Sequence, residues 1–209
     1  MKTGLKIKNL SVSLALLMGL VLSAAPLQAA DIEVTPILGF RAGGQFREIA
    51  KDERYEFSED VAGGVILSFN LDGESFIDVS YTHWQALMEP EDATSTLQTF
   101  ETSVDEIQVG GHYMWDKGLF KPIITGTIGA TRIAPTSPET DEEWGFSFSL
   151  GTGFKNYFNE HVGLRFNARI LGTVLSSSPK FCTSETECID PKGTVIAQGE
   201  LTLGILFAF

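Results

Sequence analysis

The residues able to do chemistry are few, and they fall into three sets. His83, His112 and His161 are the only imidazoles in the 209-residue chain. Hydrolysis by any of them would need a serine and a carboxylate within hydrogen-bond reach. His83, beside Trp84, is the best placed, but no serine stands two positions beyond any of the three. They read as wall or interior residues rather than catalytic bases, and no enzyme activity is expected. The second set is Cys182 and Cys188, six residues apart in a polar stretch. The third is a scatter of charges, Glu33, Arg41, Asp60, Asp78, Glu106, Lys121, Arg165, Arg169 and Glu200, each in step with an apolar alternation.

That alternation belongs to the elements that must position these groups. Leu201, Leu203, Ile205, Phe207 and Phe209 occupy every second place to the last residue. Ile77, Val79 and Tyr81 alternate with Asp78, Ser80 and Thr82, and Ile107, Val109 and Tyr113 with Glu106, Gln108 and His112. The same period appears over 32–42, 61–70, 120–128, 146–154 and 162–170, giving eight strands. The breaks also alternate. Asp72-Gly73, Asp116-Lys117-Gly118 and 156–160 are short and rich in turn formers, whereas 43–59, 85–103, 134–143 and 176–194 are long and polar.

Residues 1–30 stand apart. Lys2, Lys6 and Lys8 precede an apolar run and a small-residue exit, the pattern of a secretory signal cleaved after Ala29 or Ala30. The expected mature domain is 31–209, and losing three lysines takes its formal charge from −12 to −15. So acidic a chain is a poor partner for nucleic acid. An exported protein folds where disulfides persist, which favours a Cys182–Cys188 bridge over two free thiols; a metal site would need ligands that this stretch lacks.

A soluble barrel needs a bulky apolar interior. Here one face is large and greasy, and the other is Gly, Ser, Thr, Asn, Gln and charge. Closing the polar face inward gives a polar lumen and an apolar outer belt, so the chain reads as an all-β, eight-stranded, antiparallel up-and-down transmembrane barrel. Ile66, Ile123, Leu171 and Leu206 are exceptions on the lumen face. Tyr81, Trp84, Tyr113, Trp115, Trp144, Tyr157 and Phe209 fall near strand ends, where interfacial girdles sit. Inside, Glu33, Arg41, Asp78, Glu106, Lys121, Arg165, Arg169 and Glu200 are expected to form a salt-bridged plug, with Arg169 beside Glu200 and Asp78 opposite at similar depth. A thin ion path lined by the same charges is the alternative.

With this signal, eight alternating strands and a terminal aromatic, the chain resembles the small eight-stranded outer-membrane barrels of Gram-negative bacteria, the OmpA-like or OmpX-like barrel domains. A narrower likeness is to barrels with two cysteines in the fourth loop. The resemblance implies a place in the bacterial outer membrane, with both termini periplasmic and lipid and lipopolysaccharide around the wall. It also implies that Leu203, Ile205, Phe207 and Phe209 are read by the barrel assembly machinery, and no cofactor is implied. The expected role is structural or surface-interaction, with acidic loops (Glu89, Glu91 and Asp92; Glu139, Asp141, Glu142 and Glu143; Glu185, Glu187 and Asp190) open to an extracellular partner. A low-conductance channel ranks second, and a lipid A-modifying enzyme third.

Overall fold

Period-two patterning puts successive side chains on opposite faces of a strand, and the final strand does this without interruption over all 14 residues of Val195–Ala208. The computed structural model describes residues 32–47, 54–57, 60–90, 100–115, 118, 120–135, 142–175, 181–184, 187–189 and 195–209. The segment read as a signal lies outside that set, as do Glu91, Asp92, Glu139, Asp141, Glu185 and Asp190. The strands, in chain order, are β1 Ile32–Gly43, β2 Gln45–Arg47, β3 Arg54–Phe57, β4 Asp60–Asn70, β5 Ser75–Pro90, β6 Phe100–Met114, β7 Lys121–Pro135, β8 Glu143–Tyr157, β9 Val162–Leu175, β10 Phe181–Ser184, β11 Glu187–Ile189 and β12 Val195–Ala208.

Eight of these, β1, β4 to β9 and β12, pair antiparallel with their chain neighbours, and β12 returns to β1 to close the barrel. Closure leaves the barrel without an open edge. Most barrel strands run past the lengths read from the sequence; β5 has 16 residues. Short β2 and β3 continue the sheet beyond the barrel through β5, and β10 pairs with β11 as a separate hairpin. Both described termini lie at the end where the chain turns tightly, the turn end. Phe209 N–H donates to Ile32 O at 2.9 Å, and Ala208 N–H donates to His161 O at 2.8 Å.

At the same end, Asp72 shapes the β4–β5 turn. Its Oδ1 accepts from Ser75 N–H at 2.6 Å and Glu74 N–H at 3.0 Å, and Gly73 takes a φ of 90°. Those backbone donors favour the charged carboxylate and hold it below the ordinary aspartate range.

The wall is greasy outside and polar inside. Leu38, Leu150 and Ile170 point out, while Thr35, Ser68, Gln108 and Ser147 are buried within. Ile66, Ile123, Leu171 and Leu206 are buried on the inner face as well. Two of the aromatics assigned to a girdle are not in it. Trp84 is 1 % exposed inside the barrel, and Tyr157 is half-buried with its hydroxyl on Glu33. Both occupy inward positions of the alternation, and that parity decides their place, not their closeness to a strand end.

A narrow barrel also brings some inner positions against the next strand. A Cβ added at Gly129 would stand 2.0 Å from Ile107 O, while one added at outward Gly199 would meet nothing within 4 Å. Gly129→Val is therefore expected to abolish the compact, heat-modifiable form on gels, and Gly199→Val to fold like the parent. Equal folding of the two variants would show that close approach at Gly129 does not limit closure.

Candidate functional site

Strand β6 samples the interior from end to end. Going from the loop end to the turn end, its inward residues are Thr102, Val104, Glu106, Gln108, Gly110, His112 and Met114. At the loop end, Trp84, Val104, Ile133 and Ile196 gather on the inner face, where with Thr131, Thr173 and Gln198 they line a void of about 10 Å³. At the turn end, Phe76, Met114 and Ile123 pack together with Tyr157. Between these apolar caps lie two sets of charges.

The set nearer the loop end joins Arg41 (β1), Glu106 (β6), Arg169 (β9) and Glu200 (β12). Glu200 takes one guanidinium on each oxygen: Arg41 Nε donates to Oε2 and Arg169 Nε to Oε1, both at 2.9 Å. Arg41 then reaches across the bore to Glu106 at 3.3 Å, and its guanidinium lies 5.4 Å from the Trp84 ring centroid. Arg41, Glu200 and Arg169 are direct cross-strand neighbours, so backbone register alone brings them together. Gly151, the neighbour of Arg169 on β8, leaves room for it; a Cβ there would sit 2.8 Å from Arg169 Cγ.

The set nearer the turn end joins Glu33 (β1), Asp78 (β5), Lys155 (β8) and Arg165 (β9). Lys155 and Arg165 are cross-strand partners of like charge, an unfavourable pairing in isolation. Each is drawn to an acid on the opposite wall. Lys155 Nζ donates to Glu33 Oε2 at 2.5 Å, and Arg165 Nη2 to Asp78 Oδ2 at 2.9 Å. Ser68 Oγ donates to Asp78 Oδ1 at 2.6 Å and accepts from Arg165 Nη1 at 3.0 Å. His112 Nδ1 lies 2.8 Å from Asp78 Oδ2, and its ring stacks on Phe76 at 4.5 Å. Each quartet holds two acids and two bases, so each is formally neutral. That balance answers the high cost of burying an isolated ion.

One expectation needs correction. Asp78 does not face the Arg169–Glu200 pair; it lies one layer toward the turn end, in register with Ser68 and, through it, Glu33. Lys121, at the first residue of β7, is half-buried at the turn end with Nζ 5.3 Å from the Tyr157 ring centroid. Asp60 is half-buried at the loop end, where its Oδ1 accepts from Val61 N–H at 2.6 Å. Lys155 was missed. The alternation of β8, carried two residues beyond Gly153, would have found it.

A second polar group lies on the outward wall. Asp105 Oδ1 accepts from Tyr81 Oη at 2.7 Å and sits 2.8 Å from His83 Nδ1, while Arg132 Nη1 donates to Asp105 Oδ2 at 3.1 Å. Arg132 Nε also donates to Glu142 at 2.9 Å, so Glu142 is a paired residue at the wall and not a free loop acid. His83 thus has the carboxylate partner that the sequence did not reveal. Asp105 and Arg132 were not singled out in the sequence; charged residues in step with the greasy face were the available sign. Among the described residues, no group of three or more His, Cys, Asp or Glu is placed to hold a metal.

A closed wall with apolar residues outward and balanced charge inside defines an inside-out barrel of the transmembrane class. No family model and no curated protein matches the chain. Solved structures share its fold. Neisserial surface protein A is 13 % identical with a TM-score of 0.59, over 88 % of this chain and all of that one. The outer membrane protein OprG of Pseudomonas aeruginosa is 11 % identical with a TM-score of 0.59, over 87 % and 96 %. The outer membrane protein AlkL, solved in lipid bilayers, is 12 % identical with a TM-score of 0.53, over 90 % and 93 %. The fold is that of a small outer-membrane barrel.

The two-carboxylate, two-base balance around Glu200 carries a direct test. Arg169→Glu or Glu200→Arg alone is expected to destabilise the barrel by roughly 3–5 kcal/mol, since each leaves a buried charge without its partner. The double reversal should recover part of that loss. Denaturant unfolding in vesicles measures it, and two single variants as stable as the parent would refute the role of the pair.

Proposed function

We propose that this protein is a sealed barrel of the bacterial outer membrane with a structural or surface-interaction role. The observation that carries the reading is the filled interior: two neutral quartets between apolar caps, with Trp84 over Arg41 at one end and Phe76, Met114 and Ile123 at the other. An eight-stranded bore is narrow enough for side chains to fill. Function then falls to the outer surface and the loops.

In this reading residues 1–30 are a signal peptide and 31–209 form the inserted domain. The turn end, with both described termini, faces the periplasm, and Leu203, Ile205, Phe207 and Phe209 engage the assembly machinery. The loop end faces outward among lipopolysaccharide and meets an extracellular partner. No chemistry is assigned to the histidines.

Conductance of the refolded protein in planar lipid bilayers tests the sealed lumen. Silence from a demonstrably folded barrel is expected. Discrete openings that change with Arg169 or Glu200 variants would establish a channel instead.

Loop four is proposed to carry a Cys182–Cys188 disulfide. The two residues are direct cross-strand partners in the β10–β11 hairpin. Such neighbours have Cα atoms about 4.5–5.5 Å apart, inside the range a bridge spans. Reduction is expected to leave the barrel folded while making the loop easier to proteolyse; unfolding of the whole barrel would contradict a local role.

A further inference from the structure

One register row crosses the outward wall near the loop end. Gly63, His83, Asp105, Arg132 and Trp144 are successive cross-strand partners on β4, β5, β6, β7 and β8. One outward step toward the turn end, these strands carry Val65, Tyr81, Ile107, Ala130 and Phe146. The row therefore marks the upper boundary of the apolar belt. Polar groups facing lipid are costly unless they are satisfied. Here they are satisfied only in part. Asp105 is engaged by Tyr81, His83 and Arg132 together and serves to orient them.

The remaining valences point to a ligand. His83 uses Nδ1 on Asp105, and with 43 % of its side chain exposed it offers Nε2 outward. Arg132 spends three N–H donors on Asp105 and Glu142, leaving two of its five. On one side of the row lies a groove of about 370 Å³ bordered by Val61, Gly63, His83 and Gln85. It is open there because Gly63 has no side chain; a Cβ would meet only Leu38, at 3.9 Å. On the other side Trp144 is 54 % exposed.

We propose that this row binds the saccharide headgroup of a membrane glycolipid, a reading that rests on the barrel wall facing the outer membrane. Sugar hydroxyls both donate and accept, as fixed imidazole and guanidinium groups require, and an exposed indole offers a flat apolar face with a polar edge. A bare phosphate is the poorer fit. Two carboxylates, Asp105 and Glu142, already flank the single guanidinium and would repel an anion. A bare acyl chain would leave His83 Nε2 and the two remaining Arg132 N–H groups facing hydrocarbon. The occupant is thus a hydroxyl-rich ring at the level of the headgroups, its acyl chains running down the belt below.

The folded protein, first shown to insert into phospholipid vesicles and to keep heat-modifiable mobility, is examined by native mass spectrometry. The probes are lipid A, dephosphorylated lipid A and phosphatidylethanolamine. The parent should retain lipid A and its dephosphorylated form alike, in preference to phosphatidylethanolamine. Arg132→Gln and Trp144→Ala should each reduce that retention roughly tenfold, the loss expected for a charge-assisted hydrogen bond or a stacked ring. Ile128→Ala, lower on the same wall, should not. Equal retention by all variants, or equal retention of phosphatidylethanolamine, overturns the site. Retention lost on dephosphorylation overturns the saccharide and makes the row a phosphate site. Lack of insertion at the first step would instead refute the membrane reading on which the site depends.

Discussion

A closed wall of eight strands leaves a bore too thin for bulk water, so every ion placed inside must find its counter-ion inside. That constraint organises the interior. Lys155 and Arg165 stand side by side on neighbouring strands, and their repulsion is relieved only by crossing the lumen to Glu33 and Asp78. Arg41 does the same toward Glu106 while sharing Glu200 with Arg169. The ion pairs thereby tie opposite walls together, which hydrogen bonds along the sheet cannot do. Apolar caps at both ends keep the pairs buried, and burial makes losing either partner expensive.

The outer wall obeys the opposite rule. Its solvent is apolar, so the positions that alternate with the lumen charges are Leu, Ile, Val and Phe, and strand pairing satisfies the backbone. Among the described residues, charge returns to this face toward the loop end, starting at the row containing His83, Asp105 and Arg132. The same alternation therefore produces both a balanced interior and an outer boundary where polar groups meet the membrane surface. On the proposed reading of a sealed lumen, function is left to that boundary and to the loops.

Some of this was legible in the chain and some was not. Period-two patterning placed Glu33, Arg41, Glu106, Arg165, Arg169 and Glu200 on the inner face, and all are buried there. It could not set their relative depth. Counting from strand ends sets Asp78 opposite the Arg169–Glu200 pair, but the stagger between strands puts it in register with Ser68, one layer lower. Closeness to strand ends points Trp84 and Tyr157 to the interface, where such aromatics gather. Parity put both inside, where Trp84 covers Arg41 and Tyr157 reaches Glu33. The His83–Asp105–Arg132 contacts stayed hidden because the three residues are 22 and 27 positions apart and meet only through the pairing of β5, β6 and β7.

What the sequence by itself determined is which face each residue occupies, because side-chain direction in a strand follows from parity and needs no knowledge of neighbours. The apolar face, the polar face and the alternation of short turns with long connections were enough for an antiparallel inside-out barrel. What only the tertiary structure decided is who meets whom. Partners such as Arg41 and Glu106, or Lys155 and Glu33, lie 65 and 122 residues apart and belong to strands on opposite sides of the bore. Their contact depends on strand number, stagger and closure acting together, and a period of two carries no record of any of these.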